Sequence, residues 1–398
     1  MSLPLERDRL GQGRPPRARG GSVSRRGGDV KIAEFRLERF FARWEFAAKH
    51  NLCASDVKAV AMAELLALAD DQCRAWWDGL DLGYTEPRGH PLLREEIAGL
   101  YEGLGADDIS IFAGAEEAIF LVMLAALGPG DHVIAPWPAY QALHEVARAA
   151  GADVTLAELR EDDGWRLSPE AVADALRPGR TKLVVVNWPH SPTGSLPPRR
   201  DFDEVVRLAG EAGARLFSDE VYRWLEHDPE DRLPAGAEVG GISLGVMSKA
   251  FGLAGLRIGW LATRDRELLG RVARLKDYTT ITNAAPSEVL SVVALRARDV
   301  LLDRAMGVIG RNVGIWDAWL EASDGWRWVR PRAGSVGYVR LPEPLRADDL
   351  CRELAEAEGV LLLPSTLFQH GDQHVRVGLG RSGIEDGLGR LGRFLERR

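Results

Sequence analysis

Thr181-Lys182-Leu183-Val184-Val185-Val186-Asn187-Trp188 is an apolar run with almost no polar interruption, and it feeds into Pro189-His190-Ser191-Pro192-Thr193-Gly194. A strand wetted on one face alternates apolar and polar residues, whereas one covered on both faces stays apolar, as in a parallel sheet flanked by helices. The flanking sequence repeats the rhythm. DISIFAG (108–114), DHVIAPW (131–137), ADVTLAEL (152–159), ARLFSDEVY (214–222), ISLGVMS (242–248) and RIGWLAT (257–263) read as further strands, making seven. Between several of them lie helical patterns at 115–127, 140–151 and 168–177, the last opened by Ser168 as N-cap and Pro169 at the first helical position. The expected fold is therefore α/β, a mostly parallel seven-stranded sheet with function where the strands end and loops begin.

Past residue 266 the pattern changes. An apolar-periodic helix is expected from about Ser287 to Ser323, introduced by Pro286. Strand-like GSVGYVRL (334–341), VLLLPS (360–365) and HVRVGLG (374–380), with helices near 345–358 and 384–396, then read as a small α+β domain. This divides the chain into a large domain (61–285), a small C-terminal domain (286–398) and a segment, 31–60, that packs on the small domain and the functional site. Residues 35–103 are expected to be largely helical. Residues 1–30 hold seven Arg against Glu6, Asp8 and Asp29, with six Gly, three Pro and no apolar run. Such a stretch cannot order itself by burial and reads as a disordered basic tail; a transit peptide and a start near Val30 are the alternatives.

The net charge of the 398 residues is −8, and with the tail set aside it is −12, which argues against nucleic acid or an anionic membrane as partner. No apolar stretch is long enough to span a bilayer. Cys53, Cys73 and Cys351 are odd in number and far apart, so neither a disulfide framework nor a metal site is expected, and a cytoplasmic location fits. Gly378-Leu379-Gly380-Arg381-Ser382-Gly383 satisfies GxGxxG, yet only 15 residues follow it, too few for a dinucleotide-binding unit, so these read as turn glycines. His370 and His374 read as loop histidines, and LFSDE (216–220) lacks the phosphate loop an ATPase needs.

The chemical signal lies in Ser248-Lys249-Ala250-Phe251-Gly252-Leu253-Ala254-Gly255-Leu256-Arg257-Ile258-Gly259-Trp260. A lysine at the end of an apolar strand is expected to be desolvated, which favours the free amine and lets it form a Schiff base. Arg257 can set a cation beside a phosphate, and the glycines allow close backbone approach. This segment resembles the lysine signature of the fold type I, pyridoxal-phosphate-dependent class I/II aminotransferases, and the likeness of motif order extends over about residues 35 to 398.

The resemblance implies roles for the matching residues. Lys249 carries pyridoxal 5'-phosphate and shuttles the proton, Arg257 holds the phosphate, and Ser248 is a further cofactor-binding residue. Asp219 pairs with the pyridine nitrogen, and Tyr222 hydrogen-bonds the ring phenolate oxygen. Asn187-Trp188-Pro189-His190-Ser191-Pro192-Thr193-Gly194 is similar to the family's NxPxNPTG turn, with Asn187 retained for cofactor and substrate and Ser191 in place of the second Asn. Val246 stands where relatives place a phosphate-binding hydroxyl. Gly114, Ala115 and Glu116 match the glycine turn whose amides face the phosphate at a helix N-terminus, and Tyr140 matches the aromatic that stacks on the ring. Tyr84 matches a tyrosine that reaches the neighbouring subunit's phosphate, with Thr282 and Asn283 completing the partner's site, which implies a homodimer. Arg376 matches the arginine that clamps the substrate carboxylate through its planar fork.

What the resemblance implies about activity is transfer of an amino group from a monocarboxylic amino acid to a 2-oxo acid. Tyr278 stands where dicarboxylate-specific members carry an arginine. Glu38 to Asp56 is similar to the capreomycidine synthase branch, whose members act on arginine derivatives; there Glu45, Asn51, Ser55 and Asp56 are candidate contacts for a cationic or hydroxylated side chain. The plainer reading of that stretch is an amphipathic helix with a solvated end. An eliminating and cyclising enzyme acting on a hydroxylated arginine is thus the alternative, and a binding module without chemistry is the third.

Overall fold

Thr181–Asn187 lies inside a seven-stranded sheet, and its successive side chains enter two different cores. Leu183 and Val185 pack with Val133, Phe217 and Leu244, beneath residues of the helices Ala115–Ala126, Ala142–Ala149 and Arg266–Lys276. Val184 and Val186 pack on the opposite side with Leu216, Val172, Phe202 and Val205, the last three from the helices Pro169–Ala175 and Arg199–Glu211. That two-sided burial is why the run needs no polar alternation. The computed structural model describes residues 32–398; the basic stretch 1–30 lies outside them.

All seven strands expected from the sequence are present. Their order is Ile109–Phe112, Gly259–Ala262, Ile242–Val246, Arg215–Asp219, Thr181–Asn187, His132–Trp137 and Asp153–Glu158. Gly259–Ala262 pairs antiparallel with both neighbours, and the other pairings are parallel. Six strands therefore end on the same edge, where the following loops gather. Ser168 does cap its helix, accepting from the Ala171 N–H at 3.1 Å.

A second, antiparallel sheet is ordered Leu363–Pro364, His374–Gly378, Val336–Arg340 and Arg327–Trp328. The long helix expected over 287–323 is two helices, Ala285–Arg296 and Arg298–Glu321, broken at Ala297 (φ −97°, ψ 18°). The first is buried on nearly every side against Asp71–Asp78 and Pro91–Ala98, and the second buries one stripe. Their apolar periodicity runs on through the join, so the break is invisible in the sequence.

Residues 35–103 are less helical than expected. Short helices at Arg36–Trp44, Met62–Leu66, Asp71–Asp78 and Pro91–Ala98 are separated by extended chain. Between the first two, His50–Asn51 pairs in parallel with Val360–Leu361, and the stretch continues as a strap. Gly378 N donates to Leu52 O (2.6 Å), Lys58 N to Gly380 O (2.8 Å) and Val60 N to Gly252 O (3.2 Å). Backbone satisfied in this way has no need of helix. The GxGxxG glycines thus prove to be more than turn residues. A Cβ on Gly378 would lie 2.3 Å from Ala54 O, and one on Gly380 would lie 2.4 Å from Asp56 O, so the strap lies where side chains would stand. Only Gly383, at φ +81°, is a turn glycine in the left-handed region.

His374 is also not a loop residue. It begins a strand, stacks on Tyr338 (centroids 4.8 Å apart) and faces Glu161 at 3.3 Å. Glu161 follows the edge strand of the large sheet and also accepts from Arg340 at 2.8 Å, so one carboxylate ties the two sheets. Burial alone would raise its pKa, but hydrogen bonds from His374 and Arg340 outweigh that and hold it at about 2. Among the described residues no helix is long and apolar enough to cross a membrane, and no cluster of metal-ligating side chains is found.

Two outcomes follow. Gly378→Ala is expected to lose about 1–3 kcal/mol by overpacking against the strap, readable by denaturant titration. Glu161→Gln is expected to lower stability at neutral pH. Because the folded pKa is depressed, that difference is present above the ordinary carboxylate value and disappears as pH falls towards 2, which melting curves across pH 2–7 check.

Candidate active site

The loops at the common strand edge, together with Arg36–Trp44 and the strap, enclose a cavity of about 440 Å³. Ala115, Glu116, Tyr140, Asn187, Ser191, Asp219, Tyr222, Ser248, Lys249, Arg257 and Arg376 all line it. Eleven of the residues singled out from the sequence are thus brought together from positions up to 261 residues apart. Gly114 sits behind the wall. At φ +87° it packs so closely that an added Cβ would meet the Arg257 guanidinium at 2.5 Å, and Gly259 is as tight against Gly114 C at 2.6 Å. Arg257 itself adopts a left-handed φ of 51°, uncommon for a residue with a side chain. That backbone sends the guanidinium over Gly114, at the N-terminus of Ala115–Ala126, where free amides already favour an anion. Among the described residues Arg257 has no carboxylate within ion-pair distance; its Nη1 donates only to Ala254 O.

Asp219 ends its strand 3 % exposed. One carboxylate oxygen accepts from Val221 N at 3.2 Å, and no cation bonds to it. Burial pushes its pKa up to about 7, partly opposed by that amide and by the Lys249 charge. Such a carboxylate lacks a cationic N–H partner. A protonated pyridine nitrogen is a group of that kind, and an unpaired guanidinium over a helix N-terminus suits a phosphate, so the residues present fit pyridoxal phosphate.

Lys249 is half-buried, less desolvated than the sequence suggested, and its Nζ donates to Ser55 Oγ at 2.8 Å. Tyr222, 2 % exposed, donates to the carbonyl of Ser55 at 3.1 Å. Asn187 uses its amide structurally as well as facing the cavity: Nδ2 donates to Asp219 O (3.1 Å) and Oδ1 accepts from Ser191 N (2.8 Å). It thereby locks two strand ends together. Val246 lines the wall with an apolar side chain, so no hydroxyl stands there. Arg376 is 3 % exposed, donates through Nη2 to Cys53 O at 2.9 Å and lies 5.8 Å from the centroids of Phe41 and Phe368; its Nε has no partner.

Some expectations are corrected. Asn51 does not line the cavity; its Oδ1 accepts from Cys53 N and turns the strap. Tyr84 is not among the corrections: expected at a neighbouring subunit's site, it is 89 % exposed outside this chain's cavity, in a groove shared with Leu82, Thr282 and Asn283. Tyr278 is likewise exposed. The 38–56 stretch is not one amphipathic helix: Glu45 reaches the cavity from just past the end of Arg36–Trp44, and Ser55 and Asp56 reach it from the strap. Glu38 and Phe41 line the cavity and were not singled out; their spacing with Leu37 and Glu45 on one helical face was the available signal. Asp56 is engaged by Arg381 through both carboxylate oxygens, at 2.8 and 3.0 Å.

The aminotransferase class I and II family matches residues 51–385, and the chain belongs to that family of pyridoxal-phosphate-dependent enzymes. It is 30 % identical over 364 residues to capreomycidine synthase of Streptomyces vinaceus, covering 88 % of this chain and 91 % of that one. It is 29 % identical over 306 residues to the arginine–pyruvate transaminase of Pseudomonas aeruginosa, covering 74 % and 77 %. Its structure superposes on a pyridoxal-phosphate-dependent aminotransferase from Streptococcus suis with a TM-score of 0.87 at 30 % identity, over 92 % of this chain and 98 % of the other. The fold is that of the fold type I enzymes.

Glu116 gives the cavity a pH dependence. Burial raises its pKa to about 7, against a hydrogen bond from Tyr140, with Glu38 adding to the rise and Arg257 opposing it. Because the folded value is raised, the protonated form is favoured by folding, and that contribution is lost as pH rises through 7. The carboxylate formed above pH 7 competes for Arg257 and repels a phosphate. Pyridoxal phosphate is therefore expected to bind about five-fold more weakly relative to Glu116→Gln at pH 8 than at pH 6, about 1 kcal/mol of like-charge repulsion. Fluorescence titration of both proteins at the two pH values checks this.

Proposed function

We propose that the chain transfers an amino group from a monocarboxylic amino acid to a 2-oxo acid, with Lys249 as the catalytic base. The observation that carries this reading is the convergence of Lys249, Asp219, Tyr222, Asn187 and Arg376 on one cavity. When bound there, pyridoxal phosphate supplies an electron sink for the charge released at the substrate Cα. The protein's part is to bind, orient and move protons. Arg257, Ser248 and the amides of Ala115 and Glu116 hold the phosphate, and Asp219 keeps a proton on the ring nitrogen. Tyr140 covers the ring, Asn187 and Ser191 address its phenolate edge, and Tyr222 does so once its single O–H swings from the Ser55 carbonyl, which Ser335 continues to hold. Arg376 fixes the substrate carboxylate by its free Nε edge, and Lys249 holds the proton removed from Cα and returns it one position along.

The cavity is lined by Glu38 and Glu45, and by Asp56 already paired with Arg381, while Tyr278, where an arginine would serve a second carboxylate, offers no cation. Acidic lining of this kind suits a donor with a cationic side chain, in keeping with the names of the arginine–pyruvate transaminase and capreomycidine synthase relatives. The likeness to capreomycidine synthase favours one second reading, elimination and ring closure of a hydroxylated arginine. We further propose a homodimer formed over the exposed face around Leu82, Tyr84, Tyr278 and Ile281, with Tyr84, Thr282 and Asn283 serving the partner's cavity, and a cytoplasmic location.

The purified protein is expected to show the cofactor's visible absorption band, absent in Lys249→Ala. Titration with arginine, lysine, alanine and aspartate is expected to discharge the band with the cationic donors first and aspartate last. Mass spectrometry of the products separates the readings: a 2-oxo acid supports transamination, whereas loss of water with retention of nitrogen supports cyclisation. No band in the wild type would overturn the cofactor assignment.

A further inference from the structure

The strap between Arg36–Trp44 and Met62–Leu66 does more than close the cavity. Its backbone is fixed at Leu52, Lys58 and Val60 by the hydrogen bonds described above, and the side-chain carboxylate of Asp56 is held through both oxygens by Arg381. At Ser55 the carbonyl is held twice more, by Tyr222 Oη at 3.1 Å and by Ser335 Oγ at 2.8 Å. A side chain on such a backbone has its Cβ direction set in advance. The Ser55 hydroxyl accepts from Lys249 Nζ at 2.8 Å. Among the described residues its own O–H has no acceptor, so a proton remains free to face the cavity that Ser55 lines.

From this geometry we infer that Ser55 is a positioning residue, one that holds the free amine of Lys249 in place for proton transfer. An N–H of the amine is spent on Ser55 Oγ, and the nitrogen lone pair is then turned away from the strap towards the cavity, where the substrate Cα–H is presented. In each transfer the amine gains one proton from carbon and gives one back, and the hydroxyl ends unchanged. A lysine has four rotatable bonds, and ordering it costs side-chain entropy that a single fixed acceptor offsets. The inference rests on the reading of Lys249 as base. It adds that a hydroxyl on the strap, and not burial alone, determines where the amine waits.

The test compares Ser55→Ala, Ser55→Gly and Ser55→Thr with the wild type. The contacts from Tyr222 and Ser335 are made to the main chain, so all three are expected to keep them; melting temperature and the cofactor band verify folding and loading. In protein freed of pyridoxal phosphate and labelled with ¹³C at lysine Cε, the order parameter of the Lys249 signal, assigned by its loss in Lys249→Ala, is expected to fall in Ser55→Ala and Ser55→Gly and to recover in Ser55→Thr. In the loaded enzyme, exchange of the substrate Cα proton with deuterated water is expected to slow roughly ten-fold or more in the first two with KM little changed, the range of a displaced general base. An unchanged order parameter in Ser55→Ala, or equal exchange rates with the band intact, overturns the inference. Should Ser55→Ala fail to fold, Ser55→Gly answers the same question. Absence of the band in the wild type overturns the underlying reading instead, so the two failures are distinct.

Discussion

The site is organised by a carboxylate that the protein has removed from water without bonding it to a cation. Asp219 ends a strand in the middle of the sheet, and its burial opposes the charge it is built to carry. Free energy from the surrounding core maintains that arrangement; a single amide and the nearby lysine relieve it only in part. The unmet demand for a cation selects what can bind there. A neutral ring would leave the carboxylate unrelieved, whereas a ring that gains a proton at one nitrogen gains a partner as well. Asn187, Ser191 and Tyr222 are placed from the same strand edge, so a parallel sheet with converging strand ends is a precondition for all of them.

The large sheet was legible because its physics is local. Strands covered on both faces must be continuously apolar, and Leu183 to Val186 could hardly read otherwise. The residues at the strand ends were legible for a different reason: Asp219, Lys249 and Arg257 sit at fixed offsets from apolar runs, where polar side chains have no structural purpose. The strap was not legible. Its backbone hydrogen bonds go to Gly252, Leu361, Gly378 and Gly380, 192 to 326 residues away in sequence, and no local pattern encodes them. The same holds for the split at Ala297 and for the tie from Glu161 to Arg340 and His374.

Two glycines at the end of a strand of the second sheet illustrate how a motif misleads. Gly378 and Gly380 match a nucleotide-binding pattern in letters, yet here the absent side chains make room for another stretch of the same chain. In both settings glycine permits close approach, and only the identity of what approaches differs.

The strap also joins two tasks that are usually described separately. Cys53 receives the guanidinium of Arg376 and Ser55 receives the amine of Lys249, two residues apart on a tethered backbone. The guanidinium and the amine thus share one anchor, and a substitution that alters the course of the strap between Cys53 and Ser55 displaces both at once.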